Sequence, residues 1–559
     1  MTAATTTIVY EALAAQIRDA GIEAVFGLMS DDTALLIATL DALGVRFYGA
    51  RHENMAIAMA EGYASATRRL GVALIGRGPG TANGFNAAMY AQRSGSPVLL
   101  ILGAAATNTA ADLKDLNTPA VLAAAGLRAV VASDADAVCA NFVDAASLAR
   151  DTGCVALLVP ADVLRRPLAA PMRPLALAAP PPALAAAKEE LEAAVAVLAE
   201  ARRPLIVAGH GAHLAGAREA IIELAERTGA VLATTLKAKD MFRGHPYNVG
   251  IVGSFSQRHG RRFIEEADCV MALGAGMNTR TTANGTALPR GPVIHVDRER
   301  AHIGRWLATD VAVVADVRLA AEQLLALLPA RDEAERPFHT KDTRDWLADA
   351  NPADEFQIAN TSRTMDPRAL AMELDRLLPR ERNVVYDAGN FVQVEPLISV
   401  PGPACLKNSW DFSSIGMGFG TALGFAAGAP QRPTVFMVGD GGFLMTLGEL
   451  ETTVRENLPL VIVVMNDCAY GAELHYLKER DMPVATAAFP DVDFAPVAAA
   501  FGFEAHTVRT LDELRALAPL LAVPEGPILL DCKINASVGA PFVLEAAARE
   551  RAMRQSPRS

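Results

Sequence analysis

Two aspartates stand where buried strands end. The run PTVFMVGDGG closes on Asp440 among Gly439, Gly441 and Gly442, and the run LPLVIVVMND closes on Asp467. Between them lie one turn, one helical stretch (LGELETTVREN) and the second strand. That is the content of a single βαβ unit whose strands lie side by side or nearly so, which brings two carboxylates to one sheet edge. Paired carboxylates beside a glycine-rich turn suit a hard divalent cation such as magnesium, which takes oxygen ligands and shares them with phosphate. The glycines let backbone N–H groups approach an anion, and the following helix points its positive end at it. The alternative without chemistry is an aspartate that caps the next helix.

The elements that position these residues follow from the apolar runs. GVALIG and SPVLLILG, then RPLIVAG, DCVMALG and PVIHVD, then RNVVYDAG, PTVFMVGDG, LPLVIVVMND and GPILLDCK read as strands, separated by stretches of helical periodicity. Continuous apolar strands of this kind are parallel and covered on both faces. The chain has 559 residues, and its proline-rich (Pro167 to Lys188) and charged (Ala330 to Thr364) stretches read as surface connectors. The fold class is therefore α/β, with three doubly wound parallel-sheet domains near 1–168, 187–330 and 365–545, and a frayed polar tail at 546–559. In such sheets ligands bind beyond the carboxyl ends of the strands, where both aspartates stand.

Composition narrows the function. A net charge of −12 argues against nucleic acid or an anionic membrane surface as a partner. No apolar run reaches the ~18 residues of a membrane span, and the first residues lack the features of a cleavable leader, so a cytoplasmic location is expected. The six cysteines are widely spaced, without a C-x-x-C pair, and read as buried free thiols.

The segment Gly439-Asp440-Gly441, twenty-four residues, then Asn466-Asp467 resembles the diphosphate-binding motif of thiamine-diphosphate enzymes, and most of the chain is similar to the acetolactate synthase, benzoylformate decarboxylase and pyruvate decarboxylase superfamily. The resemblance implies a pyrimidine-binding, a middle and a diphosphate-binding domain in that order. It implies thiamine diphosphate and Mg2+ as cofactors, with the metal on the side chains of Asp440 and Asp467 and the backbone carbonyl of Ala469. Asp467 replaces the family's usual asparagine; its extra charge attracts the cation and repels the diphosphate, each by about 4 kcal/mol at ~4 Å and an effective dielectric of ~20. Cofactor contacts are implied for Gly389, Asn390, Gly439, Asp440, Gly441, Gly442, Asp467, Ala469 and Tyr470, with Asn390 as the diphosphate donor. Glu53, in YGARHENMAIAMAEGYASA, resembles the glutamate that bonds the pyrimidine N1′ and relays its proton. Met417 resembles the apolar wedge that bends the cofactor, with the carbonyl of Ile415 accepting from its amino group. A glutamate opening a helix or a core methionine is the bland reading of each. Family members bind the two ends of the cofactor on different chains, which implies a homodimer or homotetramer with active sites between chains.

The substrate implied is a small-molecule 2-oxoacid or related carbonyl compound, cleaved or joined at the bond next to the carbonyl without oxidation. Glu473, six residues past Asp467, matches the acidic residue of pyruvate decarboxylase-like enzymes that handles the substrate carboxylate or returns a proton; a helix-surface glutamate is the alternative. His475 and Tyr476 are weaker candidates. Asp31 and Asp32 match the position of an active-site aspartate, or serve as helix caps. A like-charged set of Glu473 with either would raise at least one pKa. The histidine pair of pyruvate decarboxylase is missing, and the F-Q-E segment of acetolactate synthase reads LKDLN. The middle domain resembles one that binds FAD or ADP in relatives, yet its flavin-contacting pattern has become GMNTRTT, with Arg280 as the remaining trace; a vestigial pocket is favoured over bound FAD. The principal reading is a decarboxylase or carboligase resembling acetolactate synthase. Alternatives are acetohydroxyacid synthase proper; a 2-hydroxyacyl-CoA lyase, whose basic groove would draw on Lys237, Lys239 and Arg243; or a catalytically silent binding or assembly subunit.

Overall fold

A computed structural model describes residues 7–109, 111–170 and 174–555. It contains three sheets, each of six strands, and every pairing within them is parallel. The first holds β1 (Ala24–Gly27), β2 (Arg46–Gly49), β3 (Gly71–Ile75), β4 (Val98–Ala104), β5 (Arg128–Val131) and β6 (Val155–Pro160), in the order β2-β1-β3-β4-β6-β5. The second holds β7 (Pro204–Ala208), β8 (Val231–Thr234), β9 (Asn248–Ile251), β10 (Cys269–Leu273), β11 (Val293–Asp297) and β12 (Val311–Val314), in the order β12-β11-β10-β7-β8-β9. The third holds β13 (Asn383–Tyr386), β14 (Leu406–Asn408), β15 (Thr434–Gly439), β16 (Leu460–Asn466), β17 (Glu504–Val508) and β18 (Ile528–Lys533), in the order β14-β13-β15-β16-β18-β17. The central strands are buried along their whole length, as continuous apolar runs between two helical layers require.

Each sheet changes winding direction once, between β1 and β3, between β7 and β10, and between β13 and β15. Such a switch point splays the adjoining loops and leaves a crevice. The first is filled by Arg77, which bonds Asp32 through both its backbone N–H (2.9 Å) and its guanidinium. The second is sealed by backbone, with the Gly211 N–H donating to the Gly274 carbonyl at 3.0 Å. The third opens into a cleft.

The first and third domains share one core. The helix Glu53–Thr67 lies against the helix Met417–Gly428 so closely that a β-carbon at Gly62 would overlap the carbonyl oxygen of Thr421, and one at Gly424 that of Met59. Polar contacts pin all three domains nearby. Glu61, wholly buried, accepts from Tyr90 Oη (2.8 Å), Ser96 Oγ (2.6 Å) and Ser65 Oγ (2.9 Å) and pairs with Lys407. Asp411 accepts from Ser94 Oγ at 2.9 Å and pairs with Lys237 of the middle domain.

The connectors differ from one another. The first connector starts on the first domain, Leu175 exchanging two hydrogen bonds with Gln16, and ends on the middle domain, where Leu184 accepts from the Asp316 N–H and Ala186 donates to Gln323. The charged stretch is more built than a linker: it includes the helix Lys341–Ala348, buries Phe338 in the middle-domain core, and stacks His339 on Tyr247 with ring centroids 3.9 Å apart. Of the polar tail expected to fray, residues 546–555 are the second half of a helix, Pro541–Gln555, held by ion pairs of Glu550 with Arg480 and of Arg551 with Glu479, and 556–559 lie outside the described residues. Apolar residues at its start give it the anchor that its charged end conceals. No described helix is long and apolar enough to cross a membrane.

Candidate active site

β15 and β16 pair in register, Gly439 opposite Met465, so the residues that follow each strand are neighbours. Asp440 and Asp467 therefore flank one end of a cleft of about 490 Å3. The cleft is also lined by Gly439, Gly441, Gly442 and Ala469, by Ala388 to Val392, and by Ile415, Tyr470 and Glu473. Phe391, Trp410, Met465 and Phe542 supply its apolar wall.

Asp440 is 2% exposed. Its Oδ1 accepts from the Gly441 N–H at 2.9 Å, whereas Oδ2 has no partner. Burial, then the charge of Asp467, pushes its pKa up; burial does the same to Asp467. An unpaired buried carboxylate oxygen beside a second, half-buried carboxylate is unfavourable unless a cation joins them. The surroundings are shaped for that close approach. Gly471 faces Asp467 Oδ2 so tightly that a β-carbon there would overlap it, and Cys468 adopts a left-handed φ of 58° to turn the chain back. Asn466 braces the turn, donating to Asp531 Oδ1 (2.9 Å) and to the Val492 carbonyl (3.0 Å). Among the described residues no three His, Cys, Asp or Glu side chains cluster as a metal cage. Two carboxylates alone leave most of a hard cation's oxygen positions to carbonyls, water and phosphate, the usual habit of magnesium. The donor set thus fits a metal-bound diphosphate.

Several expectations change on contact with the structure. Asn390 lines the cleft, its Oδ1 accepting from the Ala540 N–H (2.8 Å) and one hydrogen of its Nδ2 going to the Val538 carbonyl (3.0 Å), which leaves the second Nδ2 hydrogen for a ligand. These bonds tie it to the chain before the last helix. Met417 is 4% exposed and packs in the core shared by the first and third domains; the helix start turns its side chain inward, and it does not line the cleft. His475 is buried on the helix Gly471–Lys478, its ring against Gly539, with Nε2 unpartnered among the described residues and its pKa lowered by burial. It is a neutral packing residue away from the cleft surface. Glu473 is exposed and does line the cleft.

Glu53 opens its helix as expected and accepts from Asn83 Nδ2 at 3.1 Å, with Gly80 beside it, but it does not line this chain's own cleft. The acid set of Glu473 with Asp31 or Asp32 is not formed within the chain. Asp31 pairs with Lys114 Nζ at 2.7 Å, and that contact lowers its pKa. Asp32 and Asp112 are both held by Arg77. The cations that hold these aspartates, Arg77 and Lys114, come from the loops after β3 and β4.

The basic residues suggested for a CoA groove are likewise engaged. Lys237 pairs with Asp411, Lys239 donates to Asp240 (2.9 Å) and to the Ile398 carbonyl, and Arg243 donates to the Val400 carbonyl (3.1 Å). Arg280, in contrast, reaches from the middle domain into the cleft of the third. It lies 4.4 Å over the Phe542 ring, and among the described residues no carboxylate comes within 4 Å of it. It is the one lysine or arginine lining the cleft. Trp410 and Phe542 were not read from the sequence as cleft residues; the only local signal was the Ala-Pro-Phe-Val start of the last helix, with proline at its first position.

Comparison with known proteins agrees with this layout. Residues 8–121 match the model for the thiamine pyrophosphate enzyme N-terminal TPP binding domain, residues 191–324 that for the central domain, and residues 387–532 that for the C-terminal TPP binding domain. The chain is 29% identical over 518 residues to a protein of Pseudomonas aeruginosa named probable 2-ketoarginine decarboxylase, covering 90% of each. It is 27% identical over 566 residues to the sulfoacetaldehyde acetyltransferase of Roseovarius nubinhibens, covering 93% of this chain and 91% of that one. Among solved structures, benzoylformate decarboxylase from Polynucleobacter necessarius has the same fold, with a TM-score of 0.81 at 18% identity over 95% of this chain and 99% of that one.

Proposed function

Since this chain belongs to the thiamine pyrophosphate enzymes and is a decarboxylase or carboligase, we propose that it cleaves or forms, without oxidation, the carbon–carbon bond beside the carbonyl of a 2-oxoacid, with magnesium as the second cofactor. When bound, thiamine diphosphate supplies a carbon nucleophile for the carbonyl and a sink for the electrons of the broken bond. The observation that carries the metal assignment is the partnerless, buried Oδ2 of Asp440 beside Asp467. These two side chains and the carbonyl of Ala469 would hold the cation and, with it, the diphosphate. The carbonyl of Ile415 would accept from the cofactor's amino group, and Glu53 would hold a proton at its pyrimidine ring.

Because Glu53 stands outside the cleft of its own chain, this reading places two copies together, each lending Glu53 to the other's cleft. Arg280 meets the substrate carboxylate as a charge-assisted pair. Glu473, across the cleft opening, moves a proton to or from the product. Phe391, Trp410 and Phe542 exclude water and favour an apolar stretch between those two groups. Engagement of Lys237, Lys239 and Arg243 within the chain counts against the CoA lyase alternative.

Calorimetric titration of the metal-free protein with thiamine diphosphate, with and without magnesium, tests the cofactor assignment. Tight binding is expected only with magnesium. A panel of 2-oxoacids with detection of carbon dioxide and carbonyl products tests the reaction. In Glu53→Gln, hydrogen–deuterium exchange at C2 of bound cofactor should slow about 10²–10⁴-fold; an unchanged rate would remove Glu53 from the mechanism.

A further inference from the structure

The strongest unassigned feature of the site is a carboxylate that faces away from the cleft. Asp387 follows β13 and is wholly buried. Its Oδ2 accepts from the backbone N–H of Gly416 at 2.6 Å; its Oδ1 accepts from the N–H of Gly418 at 3.1 Å and from Ser409 Oγ at 2.9 Å. Gly416 is the residue before the helix Met417–Gly428, in the left-handed region with φ 85°, and its N–H and that of Gly418 are among those an α-helix cannot satisfy itself. Asp387 is therefore a helix cap delivered from a neighbouring strand rather than from the residue at the cap position, which is glycine.

The same carboxylate reaches the other half of the site. A β-carbon on Gly442, in the glycine turn after Asp440, would stand 2.6 Å from Asp387 Oδ2, and one on Gly418 2.8 Å from Asp387 Cβ. Asp387 thus lies between the turn that carries Ile415, a residue lining the cleft, and the turn that carries Asp440, on the two sides of the β13/β15 switch point.

We propose that Asp387 is a positioning residue: it fixes the Ile415 carbonyl relative to the Asp440 turn, and so sets the separation of the two places at which the cofactor is gripped. This rests on the reading of the cleft as a thiamine diphosphate site. A carboxylate is suited to the task because it accepts three donors at once in a dry setting, where charged hydrogen bonds are short and strong. Asparagine at the same place would turn an NH2 group toward one of those N–H donors and lose at least one bond.

The test separates grip from alignment. In the cofactor-free protein, amide exchange of a peptide spanning residues 411–425, read by mass spectrometry, should speed up at least tenfold in Asp387→Asn, with peptides of the middle domain unchanged. With magnesium present, the Kd for thiamine diphosphate should rise by less than about fivefold, because the Asp440 and Asp467 ligands remain. The C2 exchange rate per bound cofactor should fall 10-fold or more. Ser409→Ala, which removes one donor and leaves the fold, should give a smaller fall of about threefold, and Ser409→Thr should restore it. Equal C2 exchange per bound cofactor in wild type, Asp387→Asn and Ser409→Ala would overturn the proposal, as would Asp387→Asn failing to fold while Ser409→Ala exchanged at the wild-type rate. Failure of the wild-type protein to bind the cofactor at all would instead overturn the reading of the cleft.

Discussion

Replacing Asp467 by asparagine separates what its charge does without ligand from what it does with one. In the cofactor-free protein it sits beside the buried Asp440; burial pushes both pKa values up, and the charge of Asp467 adds to the rise at Asp440. A carboxyl that binds its proton more tightly in the folded state makes stability fall as pH climbs from about 4 through the folded pKa. Below that window the pair is neutral and costs little; above it, two like charges at ~4 Å and an effective dielectric of ~20 repel by about 4 kcal/mol. Retention of a proton by one partner relieves part of this, leaving about 2 kcal/mol at pH 8. For a cooperative block the size of the first and third domains together that is a Tm difference of roughly 2–4 °C. Asp467→Asn should therefore melt that much higher than the parent at pH 8 in EDTA, and nearly with it at pH 5.5. Saturating magnesium and thiamine diphosphate should raise the parent more than the variant and close the gap. Scanning calorimetry from pH 5.5 to 8.5 decides it. A Tm advantage that is absent, or equal at both ends of the range, would mean that the carboxylates do not oppose each other and that their pairing is not built for a cation.

Three further outcomes follow from the same geometry. Gly471→Ala forces a β-carbon into Asp467 Oδ2, so the calorimetric Kd for magnesium thiamine diphosphate should rise at least about tenfold with unchanged far-ultraviolet circular dichroism. Lys407→Met leaves Glu61 buried beside hydroxyls without its cation, which should cost about 3–5 kcal/mol in urea unfolding, most of it regained in the double variant with Glu61→Gln. Arg280→Gln removes the one cation of the cleft; KM for a 2-oxoacid should rise about 10–100-fold with kcat changed much less, measured by steady-state kinetics.

The three parallel sheets were legible because buried parallel strands must be apolar throughout, and their ends were marked by Gly439, Asp440 and Asp467 in the sequence itself. The side-by-side placement of the two aspartates followed from the length of one βαβ unit and is what the register shows. What escaped was set by contacts between residues far apart in the chain. The bracing of Asn390 is not visible locally because Val538 and Ala540 lie about 150 residues away. Asp31 and Asp32 looked like acids because Arg77 and Lys114 come from other loops. Arg280 was read within its own domain and belongs to the wall of another. Residues 546–555 read as a tail because their charged run hides its continuity with Pro541 and Phe542, where the helix begins against the cleft.

The glycine-lined contact between the helices Glu53–Thr67 and Met417–Gly428 also decides where the molecule can yield. With backbone against backbone at Gly62 and Gly424 there is no side-chain layer to compress or slide, so the outer two domains behave as one stiff block. Admission of a bulky guest must be accommodated at the softer seam, where the cleft is closed by the stack of Arg280 on Phe542. Directed evolution for larger guests should accordingly find its tolerated changes along that seam and almost none along the glycine stripe.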